Sequence, residues 1–438
     1  MFLDKKSDEP NNRYRGCVTV GMELSDESAQ ISFFMPDSEQ PETLSTIAGK
    51  EQFRVPAVVA KVSGKDQWLY GQEALERAQK GEAVLVKDLI FLAEQRLPVV
   101  VEALEYDPAD LLGLFMKRFL FLLNTIISTD KIQAVQITVK ELSPNLLESL
   151  EQAVTMLHLP KAVFYYATYK ESFFQYMLHQ EKILWNQEVL LFSYGKDGLQ
   201  TNRLYMNRHT EPVVTFIDEE IFPGMRQIDL SKAQNREQEA KALDQVFLDI
   251  SKKMCEERSV STVYLLGDGF DKEWCRESLR YLCHNRRVFQ GDNLYSKGAC
   301  YGALEKILPS VLMQSYVYLS DDKLKANLGM QVMRQGQEVY MALLDAGTSW
   351  YEAKLDCDFI LENDNILPII VTPIDGKNIK VADISLEGMA VRGNKTNRIH
   401  MEVYMKDERT VNVCVKDMGF GELYPSSGQV WQEEFELS

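Results

Sequence analysis

The sequence predicts an α/β fold made of two similar lobes and followed by a smaller all-β module. Two pairs of apolar strands, each joined by a short polar turn, predict the lobes, because each pair reads as a β-hairpin that opens an α/β segment. The first pair spans residues 17–34 and the second spans residues 189–206. After residue 311 the pattern changes to short alternating strands with turn signals, which is typical of an all-β module.

The first lobe is expected over residues 16–178, after a flexible N-terminus at residues 1–15. Behind its hairpin, apolar residues at helical spacing predict amphipathic helices, and an apolar β-branched run predicts a strand. The predicted elements are helices near residues 72–80, 107–128 and 144–157 and a strand at residues 135–139.

The second lobe is expected over residues 179–310, where the hairpin, strand and helix plan is repeated. A long polar helix is predicted across residues 231–258. The β-module is expected over residues 311–438, with turns near residues 345–347, 362–365 and 375–377.

Several motifs resemble DnaK-type heat-shock chaperones of the actin-like ATPase superfamily, which has a ribonuclease H-like fold. The turn of the first hairpin, residues 21–27, stands where that family has Gly-Ile-Asp-Leu-Gly-Thr-Thr, and the second, residues 193–198, stands where it has Asp-Leu-Gly-Gly-Gly-Thr-Phe-Asp. The order of the remaining matches along the chain supports the resemblance. These matches are at residues 137–145, 263–269, 299–303 and 327–330, with further similarity to the family's substrate-binding β-domain at residues 383–388, 398–405 and 410–417.

The resemblance implies a nucleotide site between the lobes, in a degenerate form. The residues that would form it are Gly21, Glu23, Ser25, Asp26, Glu27, Ser193, Gly195, Lys196, Gly267, Asp268 and Gly269. We expect no catalytic residue and no metal ligand among them. An unrelated α/β protein with two ordinary β-turns is the alternative interpretation of the same hairpins.

The first turn is acidic where the family has small hydroxyl residues. Ser25, Asp26 and Glu27 stand in place of Gly-Thr-Thr. A carboxylate about 4 Å from a phosphate would cost roughly 4 kcal/mol at an effective dielectric constant of about 20, unless the side chain turns outward. We therefore expect no cofactor, or at most weak binding of ATP or ADP with magnesium.

The second turn is altered as well. The family aspartate that orders the water shell of the metal falls on Ser193, and Lys196 and Asp197 replace two loop glycines. Glu23 can stand in for the first-loop aspartate, but magnesium ligation depends on carboxylates from both lobes. Lys196 could still neutralise a phosphate as a point charge. Gly267 and Gly269 keep the glycines of the adenosine motif, and Asp268 adds a negative charge there.

The net charge of −17 argues against a nucleic acid as the partner and against an anionic membrane surface. Polar residues interrupt the most apolar stretch, residues 111–128, so it predicts a buried amphipathic helix rather than a membrane span. The 7 cysteines are scattered, and the first residues lack the apolar core of a secretory signal, which indicates a cytoplasmic protein.

Taken with the resemblance, these features predict a chaperone-like protein with a degenerate nucleotide site, which acts as a protein-binding or scaffolding module. A protein or peptide partner is expected to bind through the β-module. Because the chain stops soon after the β-module, we expect it to lack the helical lid of the chaperones. An active ATP-dependent chaperone and an actin-like filament-forming protein are the alternatives.

Overall fold

The computed structural model describes residues 18–46, 51–225, 227, 235–270, 274–361, 365–374, 376–390, 392 and 395–437. The predicted flexible N-terminus lies outside this range, as do parts of the predicted turns near residues 362–365 and 375–377. The chain divides into unit 1 (Met1–Tyr318) and unit 2 (Leu319–Ser438). The fold is mixed α/β with several sheets, as the sequence predicts at this level of description.

The first lobe of unit 1, lobe I, is built on a sheet whose centre is an antiparallel hairpin followed by two parallel strands. Its strands are β1 (Val18–Leu24), β2 (Ser28–Phe34), β3 (Glu42–Thr43), β4 (Val55–Pro56), β5 (Val59–Val62), β6 (Trp68–Tyr70), β7 (Ala83–Val86), β8 (Val99–Val101), β9 (Leu104–Tyr106), β10 (Ile132–Val139) and β11 (Val163–Thr168). The main sheet has the order β11-β10-β1-β2-β3, with β4 also on β2. Strands β5, β6 and β7 form a small separate sheet, and β8 pairs with β9.

Two of the helices described in lobe I begin at side-chain caps. The described helices are α1 (Gly71–Gln79), α2 (Leu89–Gln95), α3 (Pro108–Phe121) and α4 (Pro144–Thr155). Asp107 and Ser143 accept a backbone N–H at the starts of α3 and α4, and each is followed by a proline, which suits the first helical turn. Helix α3 ends earlier than predicted, because the chain tightens into a 3₁₀ turn at Leu122–Thr125.

Lobe II repeats this strand order. Its strands are β12 (Glu188–Gly195), β13 (Gly198–Asn207), β14 (Val213–Phe222), β15 (Val260–Leu266), β16 (Arg287–Gln290) and β17 (Tyr316–Tyr318). The sheet has the order β16-β15-β12-β13-β14-β17, in which β12 and β13 form the hairpin and β15 and β16 run parallel to β12. The helices of lobe II and its borders are α5 (Tyr169–Leu178), α6 (Arg236–Cys255), α7 (Arg276–Leu282), α8 (Leu294–Ile307) and α9 (Val311–Gln314).

Residues 311–318 differ from the all-β prediction for this part of the chain. They form α9 and β17, and β17 pairs with β14 at the edge of the lobe II sheet. The hydroxyl of Ser310 accepts the N–H of Met313 at 3.0 Å and so caps the short helix. This segment therefore belongs to unit 1.

Helices α5 and α8 are exchanged between the lobes. Helix α5 follows the last strand of lobe I, but its Phe173, Phe174 and Met177 lie in a core with lobe II residues such as Leu191. Helix α8 follows β16 of lobe II but packs on β1, β2 and β10 of lobe I. The two helices also contact each other, so each lobe is held by a helix that the other lobe supplies.

Unit 2 consists of two four-stranded antiparallel sheets. The strands are β18 (Ala326–Arg334), β19 (Gln337–Leu344), β20 (Lys354–Leu361), β21 (Ile366–Pro373), β22 (Lys380–Ser385), β23 (Asn397–Met405), β24 (Thr410–Asp417) and β25 (Val430–Glu436). One sheet has the order β19-β18-β21-β22 and the other β20-β23-β24-β25. On β23, alternation buries every second side chain, including Ile399, Met401 and Val403, which gives this strand one apolar face.

Candidate functional site

A cleft of about 390 Å³ lies between the two lobes of unit 1 and is lined by the turns of both hairpins. Eight of the residues predicted from the sequence line it together: Glu23, Ser25, Glu27, Ser193, Gly195, Lys196, Gly267 and Asp268. The other three, Gly21, Asp26 and Gly269, are not among the lining residues. The fold thus brings most of the predicted site into one cavity, although several side chains there have contacts that the sequence analysis did not predict.

The first hairpin turn uses its polar side chains for its own structure. The hydroxyl of Ser25 donates to the carbonyl of Ser28 at 2.9 Å and accepts the N–H of Ser28 at 3.1 Å, which closes the turn. Asp26 points away from the cleft and accepts the N–H groups of Ile90 and Phe91, at 2.8 and 3.0 Å, at the start of α2. Of the two orientations that the sequence left open, Asp26 thus has the outward one, because its carboxylate binds free helix N–H groups.

Glu27 and Lys196 form an ion pair that joins the two turns. The Lys196 ammonium lies 2.7 Å from Oε1 of Glu27, and both side chains are largely exposed. The hydrogen bond that Lys196 donates to Glu27 raises the pKa of Lys196, which favours the charged ammonium. The only lysine of the second turn is thus neutralised by a carboxylate of the first turn rather than left available to a phosphate.

The glycines near the second turn allow the chain to pass close to Tyr194. This tyrosine is 1% exposed and lies in the core of lobe II. A Cβ at Gly267 would lie 2.4 Å from the Tyr194 carbonyl oxygen, and one at Gly269 would lie 2.3 Å from its ring. Gly267 also has a φ of +97°, which disfavours other residues. Packing against Tyr194 accounts for both glycines without a nucleotide.

Glu23 lies at the end of β1 on the face that meets α8. One carboxylate oxygen accepts the backbone N–H of Ser296, whereas Oε2 is shielded from solvent and has no hydrogen-bond partner in the described part of the chain. Burial raises the pKa of Glu23 to about 8, although the Arg54 guanidinium lowers it. Arg54 itself is paired with Asp292 at 2.8 Å, and this pair links lobe I to the start of α8.

Two stacked tyrosines close the floor of the cleft. The rings of Tyr169 and Tyr295 lie 4.4 Å apart and nearly parallel. Tyr169 donates its hydroxyl to the carbonyl of Leu24 at 2.8 Å, and the hydroxyl of Tyr295 lies 3.5 Å from that of Ser193. Because Tyr169 begins α5 and Tyr295 lies on α8, the stack joins the two exchanged helices directly below the hairpin turns.

Sequence reasoning missed several lining residues that lie far from the motifs in the chain. Arg54 directly precedes β4, and Asn202 lies on β13. Lys170 pairs with Glu219 of β14 at 2.5 Å. Asn202 gave a signal that could have been used, because it lies two residues after Gln200 on a strand whose alternate side chains share a face. The sequence carried no comparable signal for Arg54 or for the pair of Lys170 and Glu219.

The residues of the cleft do not fit a magnesium nucleotide. Within the ranges that the structure describes, no group of three or more His, Cys, Asp or Glu side chains could hold a metal ion. The hydroxyl of Ser25 is used inside its own turn, and Lys196 is paired with Glu27. A phosphate chain would meet the Glu27 carboxylate and would have to displace it to reach the ammonium.

No helix in the described residues is long and apolar enough to cross a membrane. Cys275 is buried, and burial raises its thiol pKa to about 11. This disfavours the thiolate that a metal would require.

Comparison with known proteins finds two family models. The model for the C-terminal part of a family of unknown function (DUF5716) matches residues 40–321, and that for a domain of unknown function (DUF8552) matches residues 323–437. The junction between the matches lies within a few residues of the boundary between units 1 and 2. A search of the curated proteins found no match. Since the first model covers more than half of the 438 residues, the chain belongs to the DUF5716 family.

Proposed function

We propose that unit 1 is an actin-like domain of the DnaK type that does not turn over nucleotide, and that the protein acts as a chaperone-like binding or scaffolding module. The duplicated strand order supports this proposal. Each lobe has an antiparallel hairpin followed by two strands parallel to its first strand, and a cleft lies between the hairpin turns. The exchange of α5 and α8 between the lobes supports an origin of the two halves in one repeated plan.

The single observation that carries the pseudo-ATPase proposal is the engagement of both turns by protein groups. The Ser25 hydroxyl closes its own turn, and the Glu27 carboxylate holds Lys196 at 2.7 Å. An actin-like ATPase leaves backbone N–H groups and small hydroxyls free for the phosphates, because those groups bind anions without charge repulsion. Here a phosphate would have to compete with the Glu27 carboxylate, which already forms an ion pair with the lysine.

The expected loss of phosphate affinity comes from charge repulsion by Glu27. A phosphate that displaces Glu27 from Lys196 leaves that carboxylate about one ion-pair distance away, at a cost of roughly 4 kcal/mol for an effective dielectric constant of about 20. A loss of about 1.4 kcal/mol is a tenfold loss of affinity, so this term weakens phosphate binding by at most about a thousandfold. Glu27 is exposed and able to swing away, so this figure is an upper limit.

The proposed protein partner would bind unit 2. Its two sheets end in the edge strands β19, β22, β20 and β25, whose outer backbone groups have no ladder partner within the described sheets. Exposed apolar side chains lie on these edges, including Ile360 on β20 and Val381 on β22, both more than half exposed. An extended peptide could add to such an edge by backbone hydrogen bonds and place alternate side chains beside these apolar residues.

An active ATP-dependent chaperone is the second candidate. The observation that favours it is the presence of Glu23, Ser193 and Lys196 in one cavity, where they could surround a metal–nucleotide complex.

The test measures the affinity of the full chain for a labelled unfolded peptide by fluorescence anisotropy, with and without magnesium ATP, together with phosphate release. We expect no phosphate release and the same peptide affinity in both conditions. Phosphate release that disappears in Lys196→Ala, or peptide affinity that changes with ATP, would replace this proposal by the second candidate. No binding of any peptide would remove the chaperone-like role of unit 2.

A further inference from the structure

The cleft between the lobes contains buried polar atoms that no protein group satisfies. Asn202 is 3% exposed, and its Oδ1 has no hydrogen-bond partner in the described chain. Oε2 of Glu23 and Nε of Arg54 are likewise shielded and without a partner among the residues described. All three residues line the same cavity. Buried polar groups are normally hydrogen-bonded, so three of them around one cavity indicate a missing partner.

Which of these atoms donate and which accept hydrogen bonds indicates the chemistry of that partner. The Oδ1 of Asn202 accepts a hydrogen bond. Burial favours the protonated form of Glu23 below about pH 8, and an ammonium group beside it favours the ionised form, whose oxygen accepts best from a cationic donor. The Nε of Arg54 donates one, and it suits a carboxylate oxygen. A simple anion would face Glu23, and a simple amine would leave Arg54 without an acceptor. A molecule that carries an ammonium and a carboxylate satisfies all three.

The charges around the cavity favour the ammonium end of such a ligand. Of the ionisable side chains that line it, six are acidic and four are basic. Three of the bases are already held in ion pairs: Lys170 by Glu219, Lys196 by Glu27 and Arg54 by Asp292. The pair with Asp292 uses a terminal nitrogen of Arg54, which leaves the Nε free for a second acceptor.

The acceptors come from opposite lobes and line the same cavity as Tyr295. Glu23 lies at the end of β1, and Asn202 lies on β13 beside Glu219 of β14. The charges of Glu23 and Glu219 both raise the pKa of Tyr295, so these two carboxyl groups lie close to the tyrosine floor of the cleft. A cavity of about 390 Å³ is large enough for a single small molecule between the lobes.

We propose that this cleft binds a free amino acid, with its ammonium between Glu23 and Asn202 and its carboxylate on Arg54. The inference rests on the proposed function, since it assigns a new ligand to a cleft that no longer binds nucleotide. Amino acids with a cationic side chain are expected to bind best because of the acidic surplus in the lining. The bound molecule would contact both lobes and so hold the cleft in one arrangement.

The experiment screens the full chain by thermal shift against pools of the standard amino acids and then measures the hits by calorimetric titration. We expect saturable binding by at least one amino acid, weakened about tenfold or more in Glu23→Gln, which loses a charge-assisted hydrogen bond. Asn202→Leu should weaken it in the same direction. Asn412→Leu is the matched control, because Asn412 is a buried strand asparagine of unit 2 that also has an unpartnered Oδ1.

The ligand class is tested with two analogues. The diamine cadaverine lacks the carboxylate and glutarate lacks the ammonium, so both should bind at least tenfold more weakly than the best amino acid. Equal binding of cadaverine, an unchanged affinity in Glu23→Gln, or no amino acid binding at all would overturn the inference. Magnesium ATP is titrated in the same assay. Binding of ATP would contradict the proposed function, whereas absence of both ligands would contradict only this inference.

Discussion

The exchange of helices between the lobes predicts a strong effect of one added methyl group, in Gly298→Ala. Gly298 lies on α8 where this helix crosses α5. A Cβ at this position would lie 1.9 Å from the carbonyl oxygen of Ser172 and 2.7 Å from its carbonyl carbon. Both atoms belong to the backbone of α5, so no side-chain rotation can remove the overlap. The two helices would have to separate.

The size of the effect follows from two opposing terms. Replacing a helical glycine by alanine is normally favourable by about 1 kcal/mol. Overpacking a rigid contact costs about 1–3 kcal/mol and occasionally more, and here the backbone would have to move by more than about 1 Å. The opposite side of α8 offers little room, because Gly21 of β1 is itself held against the backbone of Ser296 and Cys300. We therefore expect a net destabilisation of about 2 kcal/mol or more.

The assay is urea unfolding followed by tryptophan fluorescence and far-UV circular dichroism. Trp185 is 1% exposed and lies in the core that contains α5, so its emission reports on this contact. Gly291→Ala is the matched control, since a Cβ there would meet nothing within 4 Å. Gly302→Ala should fall between the two, because its Cβ would meet the movable side-chain ends of Gln136 and Gln175.

A Gly298→Ala variant as stable as the wild type, or one that differs no more than Gly291→Ala, would refute the reasoning. Such a result would mean that α5 and α8 do not cross in close contact. The exchanged-helix description of unit 1 would then need to be replaced.

Three further predictions concern charged groups. Burial raises the pKa of Glu23 to about 8, so the folded state binds its proton more tightly than the unfolded state and stability falls as pH rises toward 8. Glu23→Gln should remove up to about 3 kcal/mol of this decline between pH 6 and 8, as measured by urea midpoints; parallel pH profiles for the two proteins would contradict it. Asp417 is paired bidentately with Arg392 at 2.8 Å, and both side chains are buried. Asp417→Ala should destabilise unit 2 by about 3–5 kcal/mol in thermal melts, because it leaves the arginine unpaired. The Arg392 hydrogen bonds hold the pKa of Asp417 well below its usual range. The stabilisation from this pair should therefore be present above about pH 4 and lost only at lower pH, and a full loss at neutral pH would argue against it. Lys196→Ala should change stability by at most about 1 kcal/mol, since its pair with Glu27 is exposed; a larger loss would show that this ion pair holds the lobes together.

Local patterns predicted the parts of the fold that depend on neighbours in sequence. The strand pairs around both hairpin turns and the helices that begin at Pro108 and Pro144 follow from apolar periodicity and capping residues. Strands β1 and β10 are far apart in the chain, yet each is an apolar run that could be recognised by itself. The mixed α/β class was therefore predictable, and the repeated order of the strands was suggested by the two hairpins.

The orientation of the site residues was not predictable in the same way. Asp26 faces α2 because that helix, more than sixty residues later in the chain, directly follows the small sheet of β5, β6 and β7. The first N–H groups of α2 are therefore presented to Asp26. Arg54 meets Asp292 across 238 positions of sequence. No local pattern encodes either contact, since both depend on how the lobes pack. The acidic turn could thus be recognised, but which of its carboxylates enters the cleft could not.

The central claim is that protein groups have replaced the phosphate contacts of the cleft. Calorimetric titration of the full chain with magnesium ATP tests it most directly, with Glu27→Gln measured beside the wild type because that change frees Lys196. We predict no saturable heat for the wild type up to millimolar ATP, and at most weak binding in the variant. Saturable micromolar binding by the wild type would contradict it.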